Sequence, residues 1–107
     1  MIKRYALFVG SLKAGREEEF RRRILEEARP VWLQMPGLVG LELQFTIDRD
    51  EGAPETPLIL ATVYDDVAAM DRAIASPQRN EAAAIAASIL ADCFVGQAFH
   101  YITQSGS

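Results

Sequence analysis

Hydrophobic and polar residues alternate over residues 38–48. Val39, Leu41, Leu43, Phe45 and Ile47 fall on one parity, and Gly40, Glu42, Gln44 and Thr46 on the other. A period of two puts these sets on opposite faces of a strand, one apolar enough to lie under helices and one able to meet a partner or a ligand. Residues 58–64, Leu-Ile-Leu-Ala-Thr-Val-Tyr, form a second β-rich run. The charged connection over 49–57 contains Gly52, Pro54 and Pro57 and is short enough for an antiparallel hairpin.

Around this pair the period changes. Residues 5–10 are apolar at both parities, which predicts a central strand with little to expose. From Arg16 the spacing becomes helical: Phe20, Ile24, Ala28, Val31 and Met35 recur on one face, and Leu25 and Trp32 widen it. Pro30 lies inside this helix, removes a backbone donor and should kink or divide it near Glu26 and Glu27. Pro36-Gly37 ends it.

After the hairpin, Asp65-Asp66 caps a helix carrying Met70, Ala73 and Ile74, and Ser76-Pro77 starts another that is rich in alanine from Ala82 to Leu90. Such small side chains would allow a close approach to a sheet. Residues 94–103 return to strand composition. The domain is thus expected to span 1–103, with 104–107 as a disordered tail.

The order strand, helix, strand, strand, helix, strand defines an α+β protein. Right-handed crossovers turn it into a ferredoxin-like βαββαβ domain with the antiparallel sheet ordered 4-1-3-2 and both helices on one face. The other face is left bare, and dimerisation through it is the simplest remedy.

A chain of 107 residues holds one core. Its net charge of −4 argues against nucleic-acid or anionic-membrane partners, and Arg21-Arg22-Arg23 is flanked by Glu17, Glu18, Glu19, Glu26 and Glu27. One cysteine, Cys93, excludes an intrachain disulfide, and no apolar run suits a signal peptide or membrane span; a cytoplasmic protein is expected. One histidine and one cysteine make no zinc cluster, and no phosphate-binding glycine loop occurs, so no metal and no cofactor is expected.

Glu19-Phe20-Arg21-Arg22, Met35-Pro36-Gly37-Leu38, and Ala75-Ser76-Pro77 followed by an alanine-rich helix and Phe94 resemble the dimeric α+β barrel superfamily, within it the EthD-like group. The resemblance covers nearly the whole chain. It implies a homodimer with a small, largely apolar cavity. Superfamily members include cofactor-free oxygenases of aromatic substrates, haem-degrading enzymes, and cyclases or dehydratases of polyketide-like compounds. EthD-like proteins usually carry a histidine two residues before the proline late in the first helix. Here that position is Ala28, so a function that depends on that histidine does not carry over.

The candidate chemistry is sparse. His100, between Phe99 and Tyr101, is either a half-buried structural histidine or an acid/base facing a cavity. Glu42 and Gln44 would orient or polarise a substrate, with Trp32 and Tyr101 as contact residues. Trp32 and the polar strand face also have ordinary readings, as core and as wetted or interfacial surface.

Two functions are expected. One is a metal-free enzyme acting on a small apolar or aromatic molecule. The other is a non-catalytic ligand-binding or accessory homodimer. If His100 shares a face with Phe94, Gly96, Ala98 and Ile102 turned into the barrel, it meets Glu42 or Gln44 of the partner, and the carboxylate should raise its pKa. The opposite parity, with Val95, Gln97, Phe99 and Tyr101 inward, fits the pattern almost as well.

Overall fold

The computed structural model describes residues 1–106, and Ser107 lies outside them. Strands β1 (Ile2–Leu12), β2 (Gly40–Phe45), β3 (Leu58–Tyr64) and β4 (Phe94–Gln104) form one antiparallel sheet ordered β2-β3-β1-β4. This is the expected ferredoxin-like order read from the opposite edge.

The first helical arm comprises α1 (Glu17–Arg23), a π-helical stretch (Ile24–Ala28) and α2 (Arg29–Trp32). The expected disturbance before Pro30 is this π turn, closed by the Arg29 amide donating to the Ile24 carbonyl. Widening the turn keeps the chain helical past a residue that has no amide hydrogen. The arm therefore still buries Phe20, Ile24, Ala28, Val31 and Trp32, and Met35 is buried in the turn that follows it.

The second arm is α3 (Val67–Ile74) and α4 (Pro77–Cys93). The Asp66 carboxylate accepts from the Ala69 amide at 2.8 Å, and the Ser76 hydroxyl accepts from the Arg79 amide at 3.3 Å. Two caps in one arm are why it is two helices.

Directly paired residues share a face of an antiparallel sheet. The register places Ile2, Arg4, Ala6 and Phe8 of β1 with Tyr64, Thr62, Leu60 and Leu58 of β3, and Ala6 with His100 of β4. Leu41, Leu43 and Phe45 of β2 join this face. Both arms cover it, and the core of Phe8, Phe20, Ile24, Trp32, Leu58, Leu60, Ile89 and Cys93 lies between. Cys93 is fully buried, and burial together with the neighbouring Glu19 carboxylate pushes its thiol up. That is the buried small hydrophobe expected, not a reactive thiolate.

The helix-free face carries Lys3, Tyr5, Leu7, Val9, Glu42, Gln44, Ile59, Phe99 and Tyr101. Lys3 Nζ and Glu42 Oε2 pair across it at 2.7 Å.

Element ends differ from the sequence pattern for identifiable reasons. β1 runs through Gly10 because Gly10 pairs with Gly96, where a Cβ on either residue would overlap the facing backbone. The two glycines let β1 and β4 approach closely, with Phe94 set edge-on to Phe8 at 6.4 Å. β2 is shorter than its alternation. Val39 is exposed and Ile47 lies wholly in solvent, so neither shares in the core despite its parity. Of the tail expected over 104–107, Gln104 pairs with Ile2 and the Ser105 amide donates to the Met1 carbonyl, while Ser107 lies outside the described residues.

Leu58→Ala is expected to cost about 2–5 kcal/mol, since the side chain is fully buried on the helix-covered face. Glu42→Gln, on the other face, should leave the urea midpoint within error. Equal losses for the two variants would overturn the face assignment.

Candidate functional site

Between α4 and the helix-covered face of β1, β3 and β4 lies a cavity of about 230 Å³. Its roof is Ala82, Ala83, Ala86 and Ala87 of α4, its floor includes Ala6 and Ala98, and Trp32 and Met35 supply its larger walls. Ile89 and Cys93 seat the far end of α4 in the core. Between Arg79 and Leu90 the helix turns the methyl groups of Ala82, Ala83, Ala86 and Ala87 to the cavity, and they do not fill the space above Ala6. The alanines were expected to draw helix and sheet together. Instead they leave room.

The lining is apolar except for Arg4, Thr62, Tyr64, Arg79 and His100. Arg4 of β1 pairs with Thr62 of β3, and Tyr64 and His100 lie in the rows on either side on the same face. Arg79 comes from the first turn of α4. No aspartate or glutamate lines the cavity. Among the described residues, every ion pair uses Lys3, Arg16, Arg22 or Arg23, so Arg4 and Arg79 have no carboxylate partner.

Two effects act on this cluster. Burial lowers the pKa of Arg4, and the neighbouring Arg79 charge lowers it further. His100 lies at the rim with part of its surface exposed. Loss of water on its inner side, then the charges of Arg4 and Arg79, push its pKa below the ordinary value. Both effects favour its uncharged form, in which the imidazole can accept a proton.

The five residues singled out from sequence divide between the two faces. His100 and Trp32 reach the cavity, with Trp32 also buried in the core. Glu42, Gln44 and Tyr101 lie on the helix-free face, and Tyr101 is largely exposed. The expected meeting of His100 with a partner's Glu42 or Gln44 is corrected. His100 does share a face with Phe94, Gly96, Ala98 and Ile102, but that is the face of Ala6 and Phe8, opposite the one that carries Glu42 and Gln44. Its pKa moves down, not up: burial lowers it most, the charges of Arg4 and Arg79 lower it further, and no carboxylate acts to raise it.

Arg4, Thr62, Tyr64 and Arg79 were missed. A signal for Arg4 existed: it interrupts Ile2, Ala6 and Phe8 on a single parity of β1. Starting the strand at Tyr5 hid it. Arg79 carried no such signal, since a cation in a helix's first turn usually faces solvent.

No family model matches the chain, and no curated protein matches it. Solved structures do. An ethyl tert-butyl ether D (EthD) family protein from Bacillus halodurans superposes with a TM-score of 0.80 at 16% identity, over 99% of each chain. SnoaB from Streptomyces nogalater, a cofactor-independent oxygenase, gives 0.63 at 18% identity over 99% of this chain and 93% of its own. A protein of unknown function from Bacteroides fragilis, described as dimeric with a ferredoxin-like fold, gives 0.66 at 13% identity, covering 97% and 95%. At these identities the likeness establishes the fold: this chain has the ferredoxin-like architecture of EthD and related small proteins. No helix among the described residues is long and apolar enough to cross a membrane.

With one histidine in the chain, its titration is read directly by NMR. The midpoint is expected below the unperturbed value of about 6.5, and Arg79→Gln should move it upward. A folded-state pKa below the unfolded one means that the folded chain binds fewer protons. His100 therefore costs stability as pH falls through its unfolded pKa and costs none well above it. A midpoint above that of unfolded chain would contradict the arrangement.

Proposed function

We propose that this protein is a small-molecule enzyme of the proton-transfer kind. It holds an apolar or aromatic molecule between α4 and the sheet, with His100 at the rim as the base. The observation that carries this reading is the cavity itself: it is open to solvent, apolar within, and has polar groups converging at one end. Trp32 forms part of the binding wall. Cofactor-independent oxygen chemistry, as described for SnoaB, is one use of such a pocket. In this chain the imidazole of His100 at the rim would take a proton from the bound molecule. A second reading, a non-catalytic binding protein, is favoured by Ala28, which is fully buried and places no histidine at that point of the first arm.

The protein acts as a homodimer through its helix-free face. Phe99, Tyr101 and Val95 are between 47% and 64% exposed there, and the Bacteroides neighbour is described as dimeric. Glu42, Gln44 and Tyr101 then serve the interface rather than the reaction. A cytoplasmic setting suits the single, buried cysteine, and a net charge of −4 suits a second copy as partner better than nucleic acid.

Light scattering at micromolar concentration should give about twice the 11.8 kDa chain mass, and Tyr101→Glu should yield monomer. A wild-type monomer would end the dimer reading.

For the cavity, 2-tetralone provides a neutral aromatic probe with exchangeable α-protons. Binding should quench the single tryptophan, and Ala86→Phe, which fills the space, should abolish it without unfolding the chain. Deuterium exchange of the bound ketone should exceed the protein-free rate by about 10²-fold or more and return to background in His100→Gln. Binding without exchange would decide for the non-catalytic reading.

A further inference from the structure

The two inward arginines serve no purpose in a cavity for a neutral molecule. Arg4 projects from the centre of the sheet into the cavity, half-buried, with an apolar residue, Ile102, beside it on β4 and Thr62 on β3. Arg79 approaches the same end from α4. Their like charges stand close enough for each to be felt at His100 and for Arg79 to act on Arg4. Neither has a carboxylate partner among the described residues, and the cavity wall contains no acid. Taking a guanidinium partly out of water beside another is unfavourable unless an anion joins them.

We infer that the cavity takes an anionic apolar molecule, a small aryl or alkenyl carboxylate, whose carboxylate lies between Arg4 and Arg79 and whose hydrocarbon part runs under the α4 alanines toward Trp32. The inference rests on reading the cavity as a ligand site and adds the charge of its occupant. Guanidinium donors meet a carboxylate in a planar, paired fashion, which fixes the direction in which the molecule enters. The Tyr64 and Thr62 hydroxyls stand on the same face as neutral donors or acceptors. The volume restricts the occupant to something smaller than a drug-sized ligand. Bound charge would also act on His100: burial is the larger cause of its lowered pKa, but an anion between the arginines would offset the part that comes from their charges and make it a stronger base when the site is filled.

The test compares trans-cinnamate with trans-cinnamamide, molecules of nearly the same shape that differ in charge, by calorimetry and Trp32 fluorescence at pH 7.5. Cinnamate is expected to bind at least about tenfold more tightly, with an affinity that falls as salt is raised. Arg4→Gln and Arg79→Gln should each weaken cinnamate by about ten- to a hundredfold and leave cinnamamide within about twofold. Neither substitution should lower the melting temperature, since each removes an unpaired cation, and Arg79→Lys should retain part of the affinity. Cinnamate, but not cinnamamide, should raise the His100 titration midpoint.

Equal affinity for the two probes would overturn the charge inference while leaving the cavity as a ligand site. Failure of both to bind would overturn the cavity reading and this inference with it. Inorganic phosphate binding as tightly as cinnamate would show a bare anion site and overturn the apolar part of the proposal.

Discussion

Burial of one face of a four-stranded sheet under two helical arms is the constraint on which the rest of the molecule depends. Side chains alternate across the sheet, so placing Ala6, Phe8, Leu58 and Leu60 beneath helices also places Arg4, Thr62 and His100 there. The same alternation sends Glu42, Gln44 and Tyr101 to the other side. Register and helix placement together decide which polar groups can act in one site and which belong to a surface.

The cavity follows from how the second arm meets that sheet. Ile89 and Cys93 anchor the far end of α4 with full burial, and the Ser76 cap sets where its near end begins. Between these fixed points the helix presents alanines. A close-packed interior would need larger side chains there or a nearer helix. The anchors forbid the second and the sequence omits the first, so the space persists. A core that gives up packing at one place, next to unpaired cations, has the character of a binding site rather than of a packing fault.

Electrostatics give the cavity its direction. One end is hydrocarbon and indole; the other holds two guanidinium groups, two hydroxyls and an imidazole whose uncharged form its surroundings favour. The opposite face of the sheet has its own pairing, Lys3 with Glu42, amid apolar and aromatic side chains. The two faces thus differ in kind: a cavity with unpaired cations under the helices, and an exposed apolar and aromatic surface outside.

Short-range patterns determined most of the fold from sequence alone. Period-two alternation in β2, helical spacing from Phe20 to Met35, the Asp66 and Ser76-Pro77 caps and the break before Pro30 are all local rules, and local rules need no knowledge of distant residues. They failed where a neighbour in space overrode them. Gly10 reads as a strand end until Gly96 stands opposite it. Ile47 has core parity but no helix above it. The parity of β4 was undecidable because residues 94–103 carry apolar side chains on both faces, and only pairing with β1 selects which side His100 occupies. The site therefore lay beyond the sequence: its members come from β1, β3, β4 and α4, as many as 96 residues apart between Arg4 and His100. Long-range register, not composition, brings them together.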